Sequence, residues 1–146
     1  MEICTSGTSG ISAERFFLRL KDSKVSSIVD TRLHPSSQLA GYAKQDSLIF
    51  FAKELLNIPY IHEPLLCPAD VDLKAYRNKE IDWNSYEESY EKLLSKRDLV
   101  SSINFSQWGE RPVILCSEQS PENCHRRLAA EYLRTHLKNV TEIKHF

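Results

Sequence analysis

Apolar residues along this chain alternate between short dense runs and longer stretches in which they return at every third or fourth position, the periods of buried strands and amphipathic helices. Met1–Thr5 is a modest apolar run broken at Gly7 and Gly10, which predicts a strand followed by a small-residue loop. Ser12 then caps a helix on which Phe16, Phe17 and Leu20 share a face. Val25–Asp30 is short and β-branched, as suits a buried strand, and residues 31–41, with Pro35, Ser36, Ser37 and Gly41, read as a loop. Leu48, Phe51, Ala52, Leu55 and Leu56 mark a second helix with Asp46 near its start, and Pro59–His62 supplies a third strand. Residues 63–80, interrupted by Pro64 and Pro68, show no clear period and are expected to be irregular. From an Asp82 cap, Trp83, Tyr86, Tyr90, Leu93 and Leu94 step as a helix; Leu99, Ile103 and Phe105 continue into another as far as Trp108-Gly109. Val113–Cys116 is a fourth strand. Ser120 as cap and Pro121 at the first position predict where the last helix begins. Leu128, Tyr132, Leu133 and Leu137 give that helix a buried face, Asn139 ends it, and Val140–Lys144 is a closing strand. Strands alternating with helices predict an α/β fold: one three-layer, Rossmann-like arrangement with a mostly parallel sheet covered on both faces.

A length of 146 residues suits a single domain over 1–146, and the 41% hydrophobic and 27% charged content is that of a soluble globular chain. The opening MEICTSGTSG has no basic segment followed by an apolar one, and no apolar stretch approaches the ~18 residues of a membrane span, so a cytoplasmic protein with no membrane partner is expected. Cysteines at 4, 67, 116 and 124 then read as reduced thiols rather than a disulfide framework. A net charge of −1 supplies no global field for a polyanion, and the basic run His125-Arg126-Arg127 falls short of the stripe that nucleic-acid binding usually shows.

Two junctions concentrate the reactive side chains. The run ending at Cys116 is followed by Glu118, Cys124, His125 and Arg126, and the run ending at Asp30 is followed by Thr31 and Arg32. In an open α/β sheet the ligand crevice lies beyond the carboxyl ends of the strands, so both junctions fall where a site is expected. Together with Thr5-Ser6-Gly7-Thr8-Ser9, Pro35-Ser36-Ser37 and Tyr60-Ile61-His62, the motifs Asp30-Thr31-Arg32, Cys116-Ser117-Glu118 and Cys124-His125-Arg126 resemble the family called domain of unknown function 488 over nearly the whole chain. The chain departs from that family's pattern after His62, where Leu65-Leu66-Cys67 replaces the usual Leu-Gly-Gly. The resemblance implies a compact α/β domain with a shared polar site and names no reaction.

Four chemistries compete for these residues. Arg32 and Arg126 are permanently charged forks suited to a phosphate or carboxylate, with Gly7 allowing close backbone approach and His62 lining the same edge. The structural alternative is that Arg32 simply pairs with Asp30 or Glu118. Cys124, placed in the first turn of the last helix beside His125 and Arg126, is the candidate nucleophile, while Cys116 is expected to be a packing residue. The interval from Cys116 to Arg126 does not match the tight Cys-x5-Arg loop of tyrosine phosphatases, and the loop after Cys116 lacks the glycines that a rhodanese-like sulfur carrier would bring. Glu118 with His62 or His125 suits general acid–base work. A metal site is the weakest option, since no Cys-x2-Cys knuckle is present and adjacent Cys124 and His125 would diverge on a helix. Trp83, Tyr86 and Tyr90 have the spacing of a helix packing on a core rather than of a base-stacking platform. The expected site therefore has Glu118, Cys124 and His125 as catalytic groups and Gly7, Arg32, His62 and Arg126 as ligand-binding groups. It needs no cofactor and takes a small anionic ligand such as a nucleotide or nucleic-acid fragment in a transferase or hydrolase reaction. The alternatives are a non-catalytic ligand or nucleic-acid sensing module, and a structural protein held by metal.

Overall fold

A computed structural model describes residues 1–146. Its centre is a five-stranded, all-parallel sheet of β1 (Glu2–Gly7), β2 (Ser27–Asp30), β3 (Tyr60–His62), β4 (Pro112–Cys116) and β5 (Glu142–His145), in the order β3-β2-β4-β1-β5. The expected α/β, three-layer, Rossmann-like fold is the one the chain adopts. Every residue of β2 and β4 is buried, which is why β4, Pro112–Cys116, reads as an unbroken apolar run and β2 keeps two adjacent apolar residues, Ile28 and Val29, instead of alternating.

Successive residues of the central strands feed opposite layers. Ile3, Val29 and Ile114 point toward α4 (Trp83–Lys96), the single turn α5 (Leu99–Ser102) and α6 (His125–His136). Cys4, Ile28, Val113 and Leu115 point toward α1 (Ala13–Asp22) and α2 (Gln45–Phe51). Ser12 caps α1 by accepting from the Arg15 N–H, and Asp82 caps α4 through the Ser85 N–H. After α2 the backbone widens into one π-type turn, Ala52–Leu56, closed by Asn57 in the left-handed region.

Three expectations about local structure are corrected. The supposedly irregular 63–80 holds α3 (Asp70–Arg77), a helix that buries none of its residues and so leaves no apolar period to read. The helix expected from Leu99 to Trp108 is a single turn, because Ile103 becomes extended, followed by a short 3₁₀ turn at Phe105–Gln107. The last helix starts at His125 rather than at Pro121 and ends at His136 rather than Asn139. Ser120 spends its hydroxyl on Glu122 in a local turn, and the residue at the helix cap is Cys124, in an extended conformation with no capping side-chain bond. No helix is long and apolar enough to cross a membrane.

Candidate functional site

The carboxyl ends of β1, β2 and β4 lie side by side, with Gly7 opposite Cys116 and the Thr31 N–H donating to the Leu115 carbonyl at 3.1 Å. Over them opens a cavity of about 910 Å³, the place that strand topology reserves for a ligand. Its floor includes Arg32, Cys116, Cys124 and His125, and one wall is aromatic, with Tyr76 of α3 and Trp83 and Tyr86 of α4. These three rings touch one another, at centroid separations of 5.6, 5.1 and 5.3 Å. The sequence pattern hides this wall, because Trp83 and Tyr86 also follow a core-packing helical step and Tyr76 lies in a stretch with no period; Tyr86 is buried, whereas Tyr76 and Trp83 stay half-exposed toward the cavity.

At the floor, the Cys116 sulfur lies 3.7 Å from His125 Nδ1. The other ring nitrogen, Nε2, is 3.0 Å from the Thr31 carbonyl and 3.1 Å from the Thr31 hydroxyl, which itself donates to the Leu115 carbonyl. A carbonyl can only accept, so Nε2 carries a proton and Nδ1 faces the thiol, either accepting its proton or donating to a thiolate. The environment favours the charged pair. The neighbouring Cys124 thiol holds the Cys116 pKa well below the ordinary thiol value, opposed by burial and reinforced by the charge and hydrogen bond of His125 and by the backbone at Glu118. Burial pulls His125 down, but the charge and hydrogen bond of Cys116 and the Thr31 carbonyl more than reverse this, leaving its pKa raised. Cys124 is pushed the other way, first by burial and then by its hydrogen bond to Cys116 and that residue's charge.

The pKa shifts of the two thiols run opposite to the directions expected of them. Cys124 is at the cap and not in the first turn, and it is as buried as Cys116, at 1% and 3% exposure. It is held as the neutral thiol, and the thiolate character falls on Cys116 at the strand end. The expected divergence of Cys124 and His125 also fails, because the extended cap swings Cys124 back. The donor atoms of Cys116, Cys124 and His125 all lie within 4.8 Å of one another, a grouping that a thiophilic ion such as zinc could reach.

Arg32 is committed to the fold only in part. Its guanidinium makes a two-pronged pair with buried Asp30, Nε to Oδ1 at 2.9 Å and Nη2 to Oδ2 at 2.6 Å, and the Tyr60 hydroxyl donates to the same carboxylate at 2.6 Å. The remaining nitrogen, Nη1, is buried with no partner in a residue that lines the cavity. At the cavity lining this nitrogen is free to donate to an oxygen placed there.

Arg126, Gly7 and His62 do not reach the cavity. Arg126 is fully buried and donates through Nη1 to the Glu118 carbonyl and through Nη2 to the Gln119 carbonyl at 3.2 Å, so it shapes the 117–119 loop instead of meeting a ligand. Gly7 allows close approach of that same loop: a Cβ on it would collide with the Glu118 carbonyl and lie 2.9 Å from Arg126 Nη1. His62 Nε2 sits 3.0 Å from the Arg32 carbonyl and supports the β2 loop from below. Glu118 does border the cavity, with an exposed side chain that forms no ion pair. The segment that departs from the family pattern, Leu65-Leu66-Cys67, is fixed through its carbonyls: Arg97 donates to Leu65 and Cys67, and the Tyr90 hydroxyl donates to Leu66 at 2.7 Å.

The model of the family described as domain of unknown function DUF488 matches residues 12–133, a span that runs from the cap of α1 to the last buried turn of α6. The chain belongs to that family. No curated protein and no solved structure gives a significant match to it.

Proposed function

We propose that this chain is a thiol-dependent enzyme of transferase or hydrolase type, with Cys116 as nucleophile and His125 as its proton partner. Its substrate is a phosphate-bearing ligand with an aromatic ring, a nucleotide or nucleic-acid fragment. The observation that carries this reading is the 3.7 Å approach of Cys116 Sγ to a histidine whose other nitrogen is held by a backbone carbonyl, at the floor of a 910 Å³ cavity. A nucleophile activated by a base that a third group orients is the general plan of covalent catalysis. Attack by the Cys116 thiolate forms a bond from sulfur to the electrophilic carbon or phosphorus and breaks the bond to the leaving group, which takes a proton from His125. Water or a second substrate then accepts the transferred group and regenerates the thiolate. The free nitrogen of Arg32 supports an anionic group on the ligand, and the Tyr76–Trp83–Tyr86 wall supports a stacked ring. Glu118, at the rim, suits taking a proton from the attacking acceptor. A cytosolic setting, where thiols stay reduced, fits this chemistry.

A thermal-shift screen of nucleotides, nucleosides and phosphosugars tests the reading, followed by intact-mass analysis with each ligand that stabilises the fold. Nucleotides are expected to raise the melting temperature more than their nucleosides or ribose phosphate, with Trp83→Ala and Arg32→Met each reducing the shift. The wild type should turn the ligand over and carry an adduct on Cys116, whereas Cys116→Ser should still be stabilised and yield no product. Stabilisation without product or adduct in the wild type would refute the enzyme and leave a sensing module.

A further inference from the structure

Cys124 has no part in the proposed catalytic step, yet the fold holds it against the nucleophile. Both sulfurs belong to side chains that line the cavity floor, they lie within 4.8 Å of each other, and both thiols are free. Cys124 is released from helical geometry by its extended cap conformation, φ −141° and ψ 134°, which turns its side chain toward the end of β4. A disulfide needs the sulfurs to close from within 4.8 Å to about 2.05 Å. The other cysteines are differently placed. Cys4 belongs to the layer facing α1 and α2, and Cys67 sits against the Arg32 carbonyl. Burial, with nearby carboxylates, pushes their pKa values up to about 11 and about 12, so both stay protonated near neutrality.

We propose that Cys116 and Cys124 form a reversible disulfide in response to hydrogen peroxide, making the cavity floor a site of oxidative modification. The proposal rests on the Cys116–His125 pairing of the proposed function and on the approach of the two sulfurs to within 4.8 Å. The Cys116 thiolate attacks one peroxide oxygen; a sulfur–oxygen bond forms, the oxygen–oxygen bond breaks, and the departing hydroxide takes a proton from His125 to become water. Cys124 sulfur then attacks the sulfenic sulfur, forming the sulfur–sulfur bond and expelling hydroxide, which leaves as water with the Cys124 proton. Two thiols lose two electrons and two protons, and one peroxide becomes two waters. While the bridge is present the nucleophile is unavailable and the floor is closed; a dithiol reductant restores both. Cys124 thus serves as a resolving residue that keeps Cys116 from irreversible over-oxidation.

The test treats the reduced full chain with hydrogen peroxide in the presence of EDTA and reads intact mass and disulfide-linked peptides. The expected result is loss of two hydrogen masses, a cross-linked peptide pair joining Cys116 to Cys124, and full reversal by dithiothreitol. Cys124→Ser should instead trap a dimedone-reactive sulfenic acid on Cys116. Addition of oxygen atoms to Cys116 in the wild type without a bridge would overturn the disulfide while leaving the thiolate reading intact. No reaction at Cys116, together with slow alkylation of it at mildly acidic pH, would overturn both. A bridge involving Cys4 or Cys67 would also overturn the proposal. Mapping on the wild type decides the matter even where the variant fails to fold.

Discussion

Substituting alanine for Gly7 tests the role that the fold gives this residue. The added Cβ would collide with the Glu118 carbonyl, lie 2.8 Å from the Glu118 carbonyl carbon and 2.9 Å from Arg126 Nη1, and two of those three atoms are backbone. The obstacle is therefore rigid. Gly7 has no positive φ, so the penalty comes from this clash and not from a disallowed backbone. Overpacking of this kind costs about 1–3 kcal/mol. For a chain of this length that corresponds to a fall in melting temperature of about 3–9 °C. Gly→Ala also removes backbone freedom from the unfolded chain, a gain of about 0.4–1 kcal/mol, which Gly41→Ala should show alone because nothing lies within 4 Å of its new Cβ. Thermal and urea unfolding of both variants side by side isolate the clash as their difference. If Gly7→Ala melts with or above Gly41→Ala, the loop is not seated on Gly7 as described, and the account of how Arg126 and Gly7 together position residues 117–119 fails.

Alkylation of Cys116, followed by peptide mass analysis from about pH 5 to about pH 9, should stay fast as the pH falls below neutrality, because the thiolate persists until the pH passes its lowered pKa. Cys124, shifted upward, should lag throughout, and His125→Gln should move the fall of the Cys116 rate to higher pH; equal rates at the two cysteines would refute the opposite shifts of the two thiols. Tyr60→Phe removes the hydroxyl that donates to buried Asp30 and should lower stability by about 1.5–3 kcal/mol in urea titrations, whereas an unchanged midpoint would mean that Arg32 alone satisfies the carboxylate. Leu133→Ala, in the fully buried face of α6, should cost about 2–5 kcal/mol with the fold retained by circular dichroism, and a loss under 1 kcal/mol would contradict the packing of that helix.

What could be read from the residue pattern follows what that pattern encodes. β4 is visible because full burial on both faces makes a run apolar without alternation, β2 because Ile28 and Val29 follow the β-branched Val25 in a short stretch, and α1 and α4 because one buried face repeats at helical spacing and a hydrogen-bonding cap precedes it. α3 carried no such trace, since it buries nothing and contributes only Tyr76 to the aromatic wall. The start of α6 was misplaced because Ser120-Pro121 has the chemistry of a helix opening, while contacts from Arg126 to Glu118 and Gln119 keep the preceding segment as a loop. The two junctions that hold the cavity floor were legible in one dimension. The partnership of Thr31 with His125, across 94 positions of sequence, and the swing of Cys124 toward Cys116 were not, because each depends on how β2, β4 and α6 meet.

The strand order also bears on how the chain can be made. β1 emerges from the ribosome before the other four strands, yet its two partners, β4 and β5, emerge last. Through most of synthesis its backbone donors and acceptors thus lack their lateral mates, and β2 with β3 forms a separate two-stranded piece awaiting the same missing strand. Only residues 112–116 can join the halves. Nascent chains of this topology complete their sheet late, exposing an adhesive edge until then. A message that stalls or terminates before β4 should yield aggregate in place of a partial domain, and a chain ending just short of β5 should fold with β1 as an open edge, prone to pairing with its own kind.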